Sequence, residues 1–151
     1  MNKIIKFKTI EKNFDYYTDE LNILCNKDLS SINEVILNKL DSNVPLVHEI
    51  ASYLMLSGGK RLRPLFTSCS YKLCNNKNKK DQSYIKLAAA VEFIHAATLM
   101  HDDVVDESKK RRGKLTTNET WGNKTSVLVG DFLFSRAFQL MAKDGSAEIL
   151  K

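Results

Sequence analysis

The sequence predicts an all-α fold, and three features of the chain indicate this class. Apolar segments of helical length run through its 151 residues, of which 43% are hydrophobic. Short polar breaks join these segments, and prolines and glycines stand where helices begin or turn. No stretch alternates apolar and polar residues as a half-buried strand does. We find no internal repeat or linker, so residues 1–151 are predicted to form a single domain.

The elements follow from local signals along the chain. Predicted helices span residues 19–25, 31–40, 45–56, 61–74, 83–107 and 125–143. Ser31 and Glu34 have the spacing of a capping box, in which each residue caps a backbone N–H of the other. Pro45 and Pro64 each fall in the first turn of a helix, where the missing N–H costs nothing. Polar residues predict loops at 75–82 and at 108–122.

The predicted helix at residues 83–107 is the central element of the fold. It has about 25 residues and a length of roughly 37 Å. Its residues from Leu87 to Met100 are apolar nearly all round the helix, with alanine frequent among them. A helix of this kind is buried, so we expect it in the middle of a helical bundle.

Composition limits the kinds of partner that the protein can have. The net charge is +5, with 18 acidic residues interspersed among 23 basic ones. A dedicated nucleic-acid binder concentrates cations on one face, so no nucleic-acid partner is predicted. The moderate positive charge is compatible with small anionic substrates.

Cysteine content and hydropathy indicate a cytoplasmic protein. The three cysteines, Cys25, Cys69 and Cys74, form no CxxC pair, which favours free thiols in a reducing compartment. The N-terminal residues lack the apolar block of a signal peptide. The longest apolar run, residues 87–100, is too short to span a bilayer, so we expect no transmembrane segment.

Three polar side chains share one stripe of the central helix. At about 100° per residue, His95, Asp102 and Asp106 fall on one narrow face. Two carboxylates at i and i+4 repel each other unless a cation lies between them, particularly near a helix C-terminus. Mg²⁺ fits, because it prefers oxygen ligands and keeps room for water and phosphate. The alternative is an exposed helix end neutralised by the basic residues 109–112.

A second pattern, SGGKRLRP at residues 57–64, predicts an anion site. A glycine turn that enters a helix presents backbone N–H groups, and here Lys60, Arg61 and Arg63 add positive charge. Arginine and lysine both bind phosphate groups, arginine with two parallel hydrogen bonds. An ordinary basic turn is the alternative. Taken with the carboxylate pair and the basic pair Arg111-Arg112, however, the pattern indicates a site for two diphosphates and Mg²⁺.

These motifs together resemble the trans-prenyltransferases, the polyprenyl diphosphate synthase family. The matching segments are GGKRLRP, FIHAATLMHDDVVDES, RRG and WGNKTSVLVGDFLFSRAF, in the order of that family. The resemblance covers the chain from about Ser31 to its C-terminus and corresponds to the N-terminal half of an octaprenyl-type synthase. It implies the truncated form of an isoprenoid-synthase-type helical bundle.

The resemblance also implies roles for individual residues. Asp102 and Asp106 would bind the Mg²⁺ that grips an allylic diphosphate, with Asp103 as a supporting ligand. Arg111 would contact the same diphosphate. Four further residues would hold the diphosphate of isopentenyl diphosphate: Lys60, Arg63, His95 and Arg112. The implied reaction joins the two substrates into an all-trans polyprenyl diphosphate.

Product length is predicted from the residues one turn before the carboxylates. Ala97 and Thr98 are small where relatives that make short products carry aromatics, which indicates a medium- or long-chain product for quinone side chains. Close helix packing is the alternative reason for Ala97. Three phenylalanines of the last helix are expected in the core: Phe132, Phe134 and Phe138. Two histidines, His48 and His101, are expected to be structural or exposed.

One departure from the family limits the prediction. Its members carry a second aspartate-rich motif on a later helix, and nothing after Asp131 matches it. We therefore expect the chain alone to be weakly active or inactive, and to form a homodimer or pair with a C-terminal half. A terpene cyclase is a rival, but it has no need of the basic turn at residues 57–64. A non-catalytic partner subunit that keeps the helical scaffold is the other rival.

Overall fold

The structure is a computed structural model that describes residues 13–75 and 82–144. Within these ranges the chain forms seven helices and one small antiparallel hairpin, which confirms the all-α class. The helices are α1 (Phe14–Leu24), α2 (Asn26–Lys39), α3 (Pro45–Met55), α4 (Leu62–Cys74), α5 (Ser83–Val105), α6 (Thr117–Trp121) and α7 (Asn123–Asp144). The hairpin pairs β1 (Lys110–Arg111) with β2 (Lys114–Leu115). The N-terminal residues examined for a leader, most of the predicted loop 75–82 and residues 145–151 lie outside the described residues.

Two N-terminal predictions were wrong. Helix α1 begins at Phe14 rather than near Asp19, because the Asn13 side chain accepts a hydrogen bond from the N–H of Tyr16 and caps the helix. Helix α2 already begins at Asn26, so Ser31 lies inside it and the predicted capping box does not exist. Leu29, in the added first turn of α2, packs partly buried against the core, which favours a helix longer than the local signal predicts.

The predicted loop 108–122 contains the hairpin and the short helix α6. Each strand has two residues, which is too short for a pattern of alternating burial to show in the sequence. Strand pairing joins Lys110 with Leu115 and Arg111 with Lys114. This hairpin places two arginines beside the end of α5.

Helix α5 lies at the centre and packs against α2, α4 and α7, as its apolar surface predicted. Its buried side chains include Phe93, which is 0% exposed, and several alanines that let neighbouring helices approach closely. Replacing Phe93 by alanine would leave a cavity in the core and lower the free energy of unfolding by about 3–5 kcal/mol. Among the helices of the described chain, none is long and apolar enough to cross a membrane.

Both predicted structural histidines make backbone contacts. His101 Nε2 lies 3.1 Å from the carbonyl oxygen of Val127 on α7, and His48 Nδ1 lies 3.1 Å from that of Leu40. Gly130 leaves room for the His101 ring, since a β-carbon there would clash with it. The histidine that precedes the carboxylates therefore joins α5 to α7.

The three phenylalanines of α7 differ in burial. Phe132 and Phe134 are partly buried against the core, as predicted. Phe138 is 58% exposed, so its predicted core position was wrong. The helix turns this ring away from α5, while Ala137 and Leu140 face inward.

Candidate functional site

A cavity of about 280 Å³ lies between the glycine turn, the middle of α5 and the hairpin. Four of its lining residues are those that the family resemblance assigned to one diphosphate: Lys60, Arg63, His95 and Arg112. They come from three separate segments, which the fold brings to a single opening. Gly59, Arg61, Leu62 and Glu92 complete the lining.

The glycine turn takes a conformation that accommodates Arg112 at the edge of this cavity. Gly59 has φ +145°, and a β-carbon there would lie 2.5 Å from Nη1 of Arg112. Only glycine therefore lets the Arg112 guanidinium lie against the turn in this position. The requirement couples the turn to the hairpin, although the two are far apart in sequence.

Arg61 has a structural role that sequence reasoning missed. Its Nη1 donates a hydrogen bond to Glu92 Oε1 at 2.6 Å, and its Nη2 donates to the carbonyl oxygen of Met55 at 2.5 Å. Glu92 is buried on α5, so it requires a partner of opposite charge. Arg61 was grouped with the anion-binding cations of the turn, but its guanidinium fixes the turn to α5.

Lys60 is exposed and makes a contact that another anion can replace. Its ammonium forms an ion pair with Asp15 of α1 and lies 5.9 Å from the centre of the Phe14 ring. The hydrogen bond to Asp15 raises the pKa of Lys60. Since both charged side chains are more than half exposed, the pair is weak and can exchange Asp15 for a ligand.

The surroundings of His95 favour the neutral form of its side chain. Partial burial lowers the pKa of its imidazole, and the nearby positive charge of Arg63 lowers it further, while Glu92 opposes the change. A neutral imidazole has one N–H to donate and one nitrogen to accept. His95 can therefore donate a hydrogen bond to a ligand oxygen in the cavity.

The two predicted metal-binding carboxylates lie at the end of α5. Asp102 and Asp106 are both exposed, and the N–H of Asp106 donates to the carbonyl oxygen of Asp102 at 2.8 Å, so one helical turn separates them. The helix then stops in a Schellman motif: Glu107 has φ +50°, and the N–H of Ser108 donates to the carbonyl oxygen of Asp103. This ending redirects the chain towards the cavity.

Asp103 differs from its two acidic neighbours. It is 2% exposed and accepts hydrogen bonds from Nε of Arg111 at 3.0 and 3.2 Å and from Nη2 at 2.7 Å. These contacts favour a role for Asp103 in holding Arg111, and not the expected role of a supporting metal ligand, because both of its oxygens accept hydrogen bonds from Arg111. The same bonds raise the pKa of Arg111.

The hairpin that carries both arginines is held in place by local geometry and by α3. Arg112 and Gly113 have φ +52° and +81°, as both central residues of a type I′ turn require, and this explains the glycine of the RRG sequence. The Tyr53 hydroxyl donates to the carbonyl oxygen of Leu115 at 2.8 Å. The Tyr53 ring also contacts Trp121 edge-on at 5.0 Å between centres. Neither aromatic had a predicted role.

The donor set at the end of α5 fits a magnesium-type ion. Within the described chain, no three histidine, cysteine, aspartate or glutamate side chains converge as a metal site. Two exposed carboxylates are suited to an ion that takes most of its oxygen ligands from water and phosphate, as Mg²⁺ does. A site for zinc would need more ligands from the protein.

The two small residues one turn before the carboxylates lie in different surroundings. Ala97 is 0% exposed inside the core, so in this chain its small side chain permits close helix packing. Thr98 is partly buried, and its hydroxyl donates to the carbonyl oxygen of His95 at 2.9 Å. The alternative explanation for Ala97 therefore has direct support.

Comparison with known proteins finds relatives in both sequence and structure. Octaprenyl diphosphate synthase of Escherichia coli (strain K12) is 43% identical over 133 residues, covering 88% of this chain and 40% of that protein. A decaprenyl diphosphate synthase from Rhodobacter capsulatus superposes with a TM-score of 0.82 at 44% identity, over 88% of this chain and 40% of the other. A polyprenyl synthase from Caulobacter crescentus CB15, complexed with calcium and isoprenyl diphosphate, gives 0.83 at 47% identity and the same coverage. The chain spans about 40% of the length of these relatives. Residues 44–151 match the polyprenyl synthetase family, and the chain belongs to that family.

Proposed function

We propose that the protein forms the N-terminal part of a prenyltransferase that extends an allylic diphosphate with isopentenyl diphosphate. The observation that carries the proposal is the single cavity lined by Lys60, Arg63, His95 and Arg112, next to the helix end that bears the two exposed carboxylates. One part supplies cations for a diphosphate, and the other supplies oxygen ligands for a metal.

The cavity is the proposed isopentenyl diphosphate site. Arg61 neutralises Glu92, which leaves the charges of Lys60, Arg63 and Arg112 available to a ligand. Charge-assisted hydrogen bonds of this kind are about twice as strong as neutral ones. His95 adds a further hydrogen-bond donor to the lining.

The end of α5 is the proposed allylic site. Asp102 and Asp106 would hold Mg²⁺, which supplies positive charge to the departing diphosphate. Arg111, fixed by Asp103, would donate hydrogen bonds to the same group as negative charge develops on it. The allylic C–O bond breaks to give a carbocation, the isopentenyl double bond attacks it, and loss of a proton leaves the lengthened allylic product. The apolar helices would exclude water from the cation.

A medium- or long-chain all-trans product, used for quinone side chains, is the product class that we propose. The relatives named for octaprenyl and decaprenyl products support this length. Because Ala97 is buried in the core, Thr98 is the better candidate of the two for contact with a growing chain.

Turnover by the whole enzyme requires more than this chain supplies. The relatives are more than twice as long, and the family resemblance implies that a second aspartate-rich motif would complete the metal site from the opposite wall. We infer that residues 1–151 form the N-terminal part of one larger all-α domain. The chain then pairs with a C-terminal half or with a second copy of itself. Alone they bind substrate and turn over weakly or not at all. Free thiols and diphosphate substrates favour the cytoplasm.

Calorimetric binding to the 151-residue chain tests the proposal directly. Isopentenyl diphosphate should bind without metal, and an allylic diphosphate should bind only with Mg²⁺. Converting both Asp102 and Asp106 to asparagine should abolish the metal-dependent binding and spare the metal-free binding. Glu119→Gln, on the exposed surface of α6, serves as the control for loss of a negative charge.

The alternative is a scaffold subunit without a ligand site. It predicts no binding of either diphosphate with or without Mg²⁺, and that result would overturn the proposal. A separate experiment measures turnover by the 151-residue chain alone and by the chain mixed with the C-terminal half of a relative. Full turnover by the pure 151-residue chain would contradict the inferred need for a second half.

A further inference from the structure

Two cysteines that are far apart in sequence lie in contact. The Sγ atoms of Cys25 and Cys69 are 3.5 Å apart, although 44 positions separate the residues. Cys25 is the residue between α1 and α2, and Cys69 lies in the middle of α4. Neither thiol had a predicted role.

The geometry allows the two sulfurs to bond. A disulfide has an S–S distance of about 2.0 Å, so the sulfurs need to approach by roughly 1.5 Å. Side-chain rotation supplies movements of this size. Cys69 is partly exposed and Cys25 is fully buried, so only Cys69 can meet a reagent from solution.

We propose that Cys25 and Cys69 are a reversible oxidation site, at which a small-molecule disulfide of the glutathione type forms an intramolecular disulfide. The Cys69 thiolate attacks one sulfur of the small disulfide, breaks its S–S bond and releases one small thiolate. The Cys25 sulfur then attacks the Cys69 sulfur of the mixed disulfide and releases the second small thiolate. The two protons lost by the cysteines end on the two small thiols, so one disulfide is reduced as the other forms.

The surroundings of Cys25 set the rate of the second step. Burial, together with the neighbouring Cys69, raises the pKa of Cys25 to about 12, so it remains an uncharged thiol at neutral pH. Because the thiolate is the attacking species, ring closure becomes faster as pH rises. The oxidation is consequently slow, and the thiols are stable in a reducing compartment.

The disulfide would fasten α1 and α2 to α4. Helix α1 carries Asp15, the ion-pair partner of Lys60, and the N-terminus of α4 follows the glycine turn. Closing a loop of this length restricts the unfolded chain, which corresponds to a rise in Tm of roughly 5–15 °C. Oxidation would therefore stabilise the side of the cavity formed by the turn. The proposal is independent of prenyl transfer.

The test oxidises the 151-residue chain with oxidised glutathione at about pH 8.5, where a cysteine thiol begins to ionise. Remaining thiols are then alkylated and the peptides identified by mass spectrometry. We expect a peptide that joins Cys25 to Cys69, a higher Tm and reversal of both by dithiothreitol. Cys74→Ser is the matched control, since Cys74 lies exposed on the same helix, and it should behave as the unaltered chain.

Cys69→Ser should form no such peptide and show no rise in Tm. It replaces the partly exposed member of the pair, so it avoids disturbing the buried Cys25 position. A persistent mixed disulfide at Cys69, a bond that includes Cys74, or a Cys25–Cys69 bond that leaves the Tm unchanged would overturn the proposal.

Discussion

The same substitution at two nearby arginines should lower stability at one position and ligand affinity at the other. Arg61 and Arg63 are two positions apart, and both line the cavity. Arg61 is bonded to buried Glu92 and to the carbonyl oxygen of Met55, whereas Arg63 is exposed. We expect Arg61→Leu to lower the stability of the protein, and Arg63→Leu to weaken diphosphate binding without affecting stability.

The magnitudes follow from burial. Breaking a fully buried ion pair costs about 3–5 kcal/mol, because the remaining charge has no partner. The side chains of Arg61 and Glu92 are 23% and 11% exposed, so water compensates in part and we expect about 2–4 kcal/mol. For a chain of this size the loss corresponds to a fall in Tm of roughly 5–15 °C.

Arg63→Leu involves a different balance of terms. A substitution on the exposed surface changes stability by at most about 0.5 kcal/mol. A hydrogen bond to a charged group contributes about 1.5–3 kcal/mol, so the Kd for isopentenyl diphosphate should rise roughly 10- to 150-fold.

Thermal unfolding and calorimetric titration on the same samples separate the two effects. The double variant Arg61→Leu with Glu92→Leu removes the unpaired carboxylate, and should recover most of the stability lost in Arg61→Leu. Equal losses of Tm in the two arginine variants would refute the reasoning. So would a double variant no more stable than Arg61→Leu.

Three further outcomes follow from the site. Gly59→Ala should displace the Arg112 guanidinium and raise the Kd for isopentenyl diphosphate roughly tenfold, by loss of one charge-assisted bond; unchanged calorimetric affinity would contradict this. Asp103→Asn should release Arg111 and weaken Mg²⁺-dependent binding of an allylic diphosphate severalfold, while metal-free binding of isopentenyl diphosphate stays constant in the same titration. Because the pKa of His95 is lowered in the folded state, the unfolded chain binds the proton more readily, so this residue destabilises the fold as pH falls below about 6.5. Urea unfolding from pH 7.5 to 5.5 should show a steeper loss of stability for the unaltered chain than for His95→Gln, and parallel curves would argue against it.

The sequence predicted the elements whose signals are local and long. Helix α5 and the glycine turn were predicted close to their observed positions. An apolar run of that length predicts a buried helix, and a pair of glycines predicts a turn. Grouping Lys60, Arg63, His95 and Arg112 depended on family resemblance, since spacing relates only His95 to the carboxylates.

What the sequence could not predict depends on contacts between distant positions. Arg61 and Glu92 are 31 positions apart, so nothing local distinguishes Arg61 from its basic neighbours. The hairpin was missed because its strands are two residues long, although Gly113 was a detectable signal for a turn and has a positive φ in the structure. Local signals also misled at Ser31, where packing of α2 overrode an apparent cap.

Burial divides the charges of the site into two sets. Glu92 and Asp103 are the buried acids of α5, and each binds one arginine from a segment that arrives from elsewhere: Arg61 from the turn and Arg111 from the hairpin. The two acids are eleven positions apart, so at about 100° per residue their directions differ by only about 20° around the helix axis. One face of α5 therefore anchors both loops.

The exposed charges are left to act on ligands. Lys60 and Arg112 lie on the anchored loops, and Arg63 lies in the first turn of α4. Asp102 and Asp106 are exposed at the end of α5. Because the loops are fixed by ion pairs to the buried acids Glu92 and Asp103, a diphosphate would be able to exchange the partners of the exposed cations without loosening the turn or the hairpin. Substitution of an exposed charge should therefore alter affinity, and substitution of a buried one should alter affinity and stability together.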